Sequence, residues 1–470
     1  MRVIARLAAA LALAAAAPAT PPAPPPTPEV SVVRDGESWT ADYRFGRSAP
    51  AWAFLHSGLA RADKKPWRPR SWTVVTKGVR LERRGWYDIL VAERGDVPDR
   101  VRIRFTPSTL DLEADYDPAL RFSNGAVALF TDQFDVTPLS SAAAAERLPV
   151  DLDQVPLEGD ATRASFRDRG GKVLHAGRRK TVATMQNGRS YVLFGSAGIA
   201  ETRDIATILD PALPAWLSAE LGASTPRLLA HYAALLGPRS GTRPMLMATW
   251  GGPTPGVTSM GGSVLPGLVL MAFEGQRVVA RSEAARNYVL WFIAHESAHF
   301  WLGQTVDYDS ASHAWMTEGG ADLLAVRALA ALDPAYDPRV RLDDAIAKCV
   351  ALASGKAVNS ANRRSEHDAY YACGAVFGLV AEAVANRAQS GSGFAGFWRA
   401  LIEANRADRV VGQSEWLAAL TQASRDPSLA ADIRRMAEIG VADPARLIAS
   451  LFRRAGVAHA TGGDKGITLK

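Results

Sequence analysis

The chain has 470 residues, of which 48% are apolar, 22% charged and 8% aromatic. It can therefore fill more than one hydrophobic core, is not disordered by composition, and at roughly 150 residues per domain holds about three domains or fewer. The 54 Lys and Arg exceed the 48 Asp and Glu by six, the basic residues form no five-residue block, and there are two cysteines. Charge is thus weak evidence for nucleic-acid or membrane-surface binding, and the cysteine count excludes a disulfide-dense scaffold, a multi-cysteine zinc ribbon and an iron–sulfur site.

The first residues address the chain to a compartment. Arg2 and Arg6 form a basic start, and Leu7 to Ala17 is a continuous run of Leu and Ala, too short for the about 20 residues of a membrane span. It ends in Ala17-Pro18-Ala19, a small-x-small pattern of the kind a signal peptidase cuts, so residues 1–19 are expected to be a cleaved secretory signal and the protein periplasmic or secreted. An uncleaved anchor is the competing reading. No cysteine follows to carry a lipid, and removal of Arg2 and Arg6 lowers the charge excess to four. Residues 20–29 are expected to be a proline-rich, semi-rigid spacer, with seven prolines between Pro18 and Pro28. No later segment is expected to span a membrane.

Residues 30–200 read as a β domain. Val101-Arg-Ile-Arg-Phe105 alternates apolar and charged residues, Ala126 to Phe130 is a short apolar run, and Gly and Pro punctuate the rest. Thr181–Gln186 and Ser190–Phe194 flank Asn187-Gly188, which predicts that the two segments pair as a hairpin. Trp39, Trp52, Trp67, Trp72 and Trp86 fit either a β-rich core, the favoured reading, or a binding surface. Residues 201–390 change character: Leu217–Leu236 has helical periodicity, Pro244–Trp250 and Leu265–Phe273 read as strands, and from Arg281 onward nearly every segment reads as helix. Breaks are expected at Gly303, Pro334, Gly355, Gly391 and Pro427. Residues 391–470 form a C-terminal helical segment. Cys349 and Cys373 are separated by 23 residues in this helical region; an oxidising compartment allows a disulfide between neighbouring helices, and two small buried residues are the alternative.

Within the apolar run Trp291–Gly303 stands His295-Glu296-Ser-Ala-His299, an H-E-x-x-H pattern. On a helix, residues four apart share one face, so both imidazoles can bind one zinc ion while Glu296 reaches a water beside it. A catalytic zinc needs a third protein ligand. The extension H-x-x-G-x-x-H is absent, because Leu302 and Val306 occupy its Gly and His positions. The next candidate is Glu318 in Trp315-Met-Thr-Glu318-Gly-Gly-Ala-Asp322, after eighteen intervening residues, on a helix expected to start near Thr317. Asp322, one turn on, can accept the spare N–H of a ligand imidazole.

H-E-x-x-H, eighteen residues, and Glu in a W-x-x-E-G context resemble the gluzincin metallopeptidases of the aminopeptidase N and leukotriene hydrolase family. The resemblance assigns His295, His299 and Glu318 as zinc ligands and Glu296 as general base. Phe300-Trp-Leu-Gly303 is similar to the family's Q-W-F-G, and Tyr370-Tyr371-Ala-Cys-Gly374 to its Y-x-K-G, with Cys373 in place of Lys. That alignment makes Tyr371 the oxyanion-stabilising tyrosine, with Tyr370 as the other candidate. The family's G-x-M-E-N, whose Glu holds a substrate's free amine, corresponds to Gly261-Gly262-Ser-Val264-Leu265, which has no carboxylate. Gly261 and Gly262 remain candidates to let an extended substrate approach the strand, or else form a turn before it. Glu274 replaces the missing carboxylate only if the strand bends back.

The resemblance implies an α+β fold: an N-terminal antiparallel β domain, a thermolysin-like catalytic domain of a small mixed sheet plus helices, and a short helical tail. It implies a Zn2+-dependent secreted peptidase, aminopeptidase-like by family frequency, acting on peptide or protein substrates, with no nucleic-acid partner and no stable membrane insertion once the signal is cleaved. An endopeptidase lacking the amine anchor, a non-catalytic zinc-stabilised binding protein, and hydrolysis of an epoxide or ester are the alternatives. No Gly-x-Ser-x-Gly elbow occurs, so a serine hydrolase is not a competitor.

Overall fold

The computed structural model describes residues 27–113, 115–150, 152, 161–186, 188–389, 391–462 and 466–470. The expected signal (1–19), most of the spacer (20–26) and Asn187 lie outside the described residues. The chain is α+β, with a β-rich N-terminal part followed by a mixed sheet and a helical array.

Three sheets make the N-terminal part. A six-stranded sheet runs in the order 183–185, 163–168, 29–35, 38–44, 100–105, 72–74; a four-stranded sheet 136–139, 51–54, 87–92, 79–84; a five-stranded sheet 178–180, 173–175, 191–194, 127–130, 119–121. Among the described residues of these three sheets every pairing is antiparallel except that of Glu29–Asp35 with Arg163–Asp168. Period-two alternation places the core: Val101, Ile103 and Phe105 point inward while Arg100, Arg102 and Arg104 are exposed. Trp39, Trp52, Trp67 and Trp72 are buried in this core and Trp86 is 53% exposed, which decides four of the five for packing. Arg68, wholly buried, pairs with Asp88 at 2.9 Å and lies over Phe54, Trp67 and Trp72.

The expected 181–194 hairpin does not form. Ala183–Met185 pairs with Arg163–Asp168 in one sheet, and Tyr191–Phe194 pairs with Val127–Phe130 in another. Burial of both faces of Tyr191–Phe194 between two layers outweighs the local turn preference.

A fourth sheet, of five strands, is mixed. Ala206–Leu209, Met245–Trp250 and Leu268–Glu274 run parallel, and Ala200–Glu201 and Ser259–Leu265 close its two edges antiparallel. The strand expected at 265–273 is observed at Leu268–Glu274, and Leu265 instead ends the strand before it. Pro266-Gly267 turns the chain, with Gly267 at φ 69° and Leu265 opposite Leu268.

The helices Ala215–Leu236, Glu283–Ala298, Trp315–Leu332, Arg339–Ala353 and Asp368–Ala388 share one core with this sheet. Helices end just before Pro334, Gly355 and Gly391, and one begins at Pro427. The C-terminal segment is not wholly helical: His459–Thr461 and Ile467–Leu469 form a small antiparallel pair. A disulfide joins Cys349 to Cys373 and with them the 339–353 and 368–388 helices. Asp368–Ala388 is long and apolar enough to cross a membrane, contrary to the expectation for later segments. Its apolarity is that of a core helix, since 78% of its most apolar window is buried against its neighbours.

Candidate metal centre and active site

The helix that carries the H-E-x-x-H pattern starts at a Ser282 cap, whose hydroxyl accepts from the Ala285 N–H, and runs to Ala298. The Tyr232 hydroxyl donates to the Ala294 carbonyl at 3.0 Å, tying the turn before His295 to the 215–236 helix. His299 is the capping residue, after which Gly303 at φ 121° lets the chain reverse. Glu318 lies in the first turn of Trp315–Leu332, which begins two residues before Thr317 because Ala314 is its cap.

These elements bring together the three expected ligands. His295 Nε2 and His299 Nε2 are 3.0 Å apart, and Glu318 Oε2 is 3.5 Å from the first and 3.4 Å from the second. The other ring nitrogens are committed. His295 Nδ1 donates to Asp322 Oδ1 at 2.9 Å and His299 Nδ1 donates to the Leu302 carbonyl at 2.8 Å. With both Nδ1 atoms carrying hydrogen, both Nε2 atoms face each other and a carboxylate, an arrangement that an added proton or a metal cation between them satisfies. A tetrahedral ion with ligand bonds of about 2.1 Å holds its ligand atoms about 3.4 Å apart. The triangle of 3.0, 3.4 and 3.5 Å fits such an ion.

The electrostatics agree. Burial alone would lower both imidazoles, but Asp322 and Glu318 outweigh it at His295, and Glu318 does so at His299, so each is raised. Burial alone would raise Glu318, but the two imidazoles outweigh it and hold the carboxyl well below its usual range. The pocket attracts positive charge. Glu296, 8% exposed, is raised by its burial against the opposing pull of the histidines, which suits a group that must take up a proton.

Of the two tyrosine candidates, Tyr371 joins the cluster. Its ring stacks on His295 at 5.7 Å, and burial followed by the charges of Glu318 and Glu296 raises its phenol, so it is a donor at neutral pH. Tyr370 turns away, its hydroxyl donating to the Asn359 carbonyl and accepting from the Asn362 N–H. Tyr371 and Glu318 meet because their helices touch through glycine. A Cβ on Gly319 would lie 2.3 Å from Gly374 backbone carbon, and one on Gly374 would lie 2.0 Å from the Trp315 carbonyl oxygen.

Gly261 and Gly262 lie in Ser259–Leu265, whose outer edge pairs with no other strand among the described residues. A Cβ on Gly262 would meet the Leu270 carbonyl oxygen at 1.9 Å, so that glycine serves the hairpin itself; Gly261 has open space beside it. Glu274 accepts from the Thr254 hydroxyl and lines a separate cavity of ≈ 390 Å³ with Arg121 and Ser123. It is opposite Ser259, five residues and roughly 17 Å along the hairpin from Val264.

Sequence reasoning missed the acidic groups contributed by the β domain. Asp115, Tyr116, Asp132 and Asp135 line a cavity of ≈ 690 Å³ together with His56 and Arg189. Tyr116 joins this cavity to the cluster: its hydroxyl donates to the Val264 carbonyl at 3.2 Å, and Glu296 is close enough to help burial raise its phenol. Burial first, and then Asp132, raise Asp135 well above the usual carboxylate range. The signal in the sequence was Thr131-Asp132-Gln-Phe-Asp135, two carboxylates directly after an apolar strand.

No protein-family model and no curated protein matches the sequence. Among solved structures, the chain is similar to the aminopeptidase N family protein of Idiomarina loihiensis, at 11% identity over 81% of this chain and 70% of that one, with a TM-score of 0.55. It is also similar to native yeast LTA4 hydrolase, at 12% identity over 88% of this chain and 68% of that one, with a TM-score of 0.51. The resemblance read from the H-E-x-x-H to Glu318 stretch thus holds for the fold: the chain folds as the gluzincins of the aminopeptidase N and leukotriene A4 hydrolase family do.

Proposed function

We propose that this protein is a secreted zinc metallopeptidase with His295, His299 and Glu318 as ligands. The observation that carries the reading is the triangle of ligand atoms whose tautomers leave every lone pair pointing inward. When bound, zinc would supply Lewis-acid polarisation of a scissile carbonyl and acidification of water. The remaining steps belong to this chain. Glu296 accepts the proton of the attacking water in a site that excludes bulk solvent and passes it to the leaving amine. The Tyr371 hydroxyl donates to the oxygen that develops negative charge. Asp322 holds His295 in one tautomer. The free outer edge of Ser259–Leu265 can pair with an extended peptide, with Gly261 leaving room for its approach.

The leader expected from the sequence and the Cys349–Cys373 disulfide support an oxidising compartment, periplasmic or extracellular. Aminopeptidase action is favoured over endopeptidase action by the Asp115, Asp132 and Asp135 cavity, since burial disfavours the charged form of Asp135 and a substrate ammonium beside it would offset that cost. Val264, in place of an acidic residue, favours the endopeptidase. Comparing hydrolysis of free and N-acetylated peptides by the parent and by Asp135→Asn tests this. An aminopeptidase cleaves only the free peptide and loses it on substitution; equal cleavage of both by both proteins assigns an endopeptidase.

A further inference from the structure

The charge excess is spread thinly along the sequence, but strand register gathers part of it on one surface. On the six-stranded sheet, Arg100 stands opposite Arg44, Arg102 opposite Asp42 and Arg104 opposite Thr40. Glu29 is flanked by Arg44 and by Arg163, and Val33 by Thr40 and Arg167. Residues directly opposite in a sheet point to the same side, and the alternate residues of each strand, Val101, Ile103, Tyr43, Ala41 and Phe166, are the buried ones. The outward face of these strands therefore carries six arginines and three carboxylates, Glu29, Asp42 and Asp35, the last paired with Arg169 just past its strand. Arg102 pairs with Asp42, and Arg163 with Glu29. No carboxylate of the described residues lies within 4.0 Å of Arg44, Arg100, Arg104 or Arg167.

We propose that this face is a docking surface for an anionic lipid bilayer. Arg44 and Arg100 directly opposite one another repel, a cost that an external anion removes. The guanidinium groups form a two-dimensional array, about 5 Å apart across strands and about 7 Å along them, which many headgroups can meet at once. Ser31, Ser165, Thr40 and Thr73 fill the space between them; the array carries no aromatic side chain on which a nucleic-acid base could stack. A hollow of ≈ 620 Å³ beside Arg44, Arg100 and Arg102 is lined by Val75, Thr76 and Asp42; the Asp42 carboxylate is taken by Arg102, which leaves Arg44 and Arg100 to meet a headgroup phosphate there.

The test is co-sedimentation of the folded protein with phosphatidylcholine vesicles, with and without phosphatidylglycerol, at low and physiological salt. The parent binds only the anionic vesicles and is released by salt. At roughly fivefold per arginine, Arg100→Ala with Arg104→Ala weakens binding about 25-fold. Arg178→Ala with Lys180→Ala, an equal charge loss on an exposed strand of another sheet, leaves it within about twofold. Binding unchanged in the first pair, an equal loss in the second, or tighter binding to a random duplex DNA than to the anionic vesicles overturns the proposal. Circular dichroism confirms that each variant is folded.

Discussion

Replacing Gly319 by alanine forces apart the two helices that carry Glu318 and Tyr371. The new Cβ would sit 2.3 Å from Gly374 Cα and carbonyl carbon and 2.4 Å from the Ala375 nitrogen, against an ordinary carbon–carbon contact of about 3.5 Å. All three atoms are backbone, so no rotamer relieves the clash, and the helices must separate by about 1 Å. Overpacking of this kind costs about 3 kcal/mol, and the gain in helix propensity on losing a glycine returns about 1 kcal/mol, leaving a net loss of about 2 kcal/mol. The displacement also moves Glu318 relative to Tyr371, and a 1 Å misplacement of catalytic groups costs on the order of 100-fold in rate. Urea denaturation and peptide hydrolysis measure the two effects. Gly320→Ala is the control, because its Cβ would meet only the side chains of Leu302, at 2.8 Å, and Trp398, at 3.2 Å. Gly319→Ala with the stability and rate of the parent, or Gly320→Ala with an equal loss of both, would refute the close approach as the device that assembles the site.

Three further outcomes are expected. Tyr371→Phe lowers turnover by roughly 100- to 1000-fold with zinc content unchanged; loss of metal would instead make the tyrosine structural. Asp322→Ala weakens zinc binding by roughly 10- to 100-fold in competition with a chromophoric chelator, because the His295 Nδ1–H loses its acceptor. His175 is held down to about 4, by burial first and then by Lys180. Its neutral form is thus preferred in the folded state. It contributes no pH dependence above its unfolded value of about 6.5, and stability falls as the pH drops from there towards 4, by up to about 3 kcal/mol. Denaturation midpoints of His175→Gln should lack that part of the decline; a slope identical to the parent's contradicts the assignment.

The parts of the site that follow from spacing along one chain segment were legible before the structure. His295 and His299 one turn apart, Glu296 between them, and Asp322 one turn beyond Glu318 are consequences of helical periodicity acting on an apolar run. Alternation likewise predicted which residues of Val101–Phe105 face the core. What periodicity cannot carry is partnership between distant segments. Asn187-Gly188 marks a turn, but Ala183–Met185 and Tyr191–Phe194 find partners about 20 and about 60 residues away, where both faces can be buried. The choice of Tyr371 over Tyr370 depends on the direction in which one helix packs on another, set by glycines that the sequence shows only as glycines. The Asp132 and Asp135 cavity and the arginine face have the same origin: each gathers residues from strands far apart in the chain.

The central claim is that Glu296 acts as the base of a zinc peptidase, and the most direct measurement is peptide hydrolysis by zinc-loaded parent and Glu296→Gln protein matched for metal content. The account predicts hydrolysis by the parent and a fall of at least roughly 100-fold in the variant, with one zinc retained per chain through His295, His299 and Glu318. Equal rates in the two proteins, or no peptide hydrolysis by the zinc-loaded parent, would contradict it.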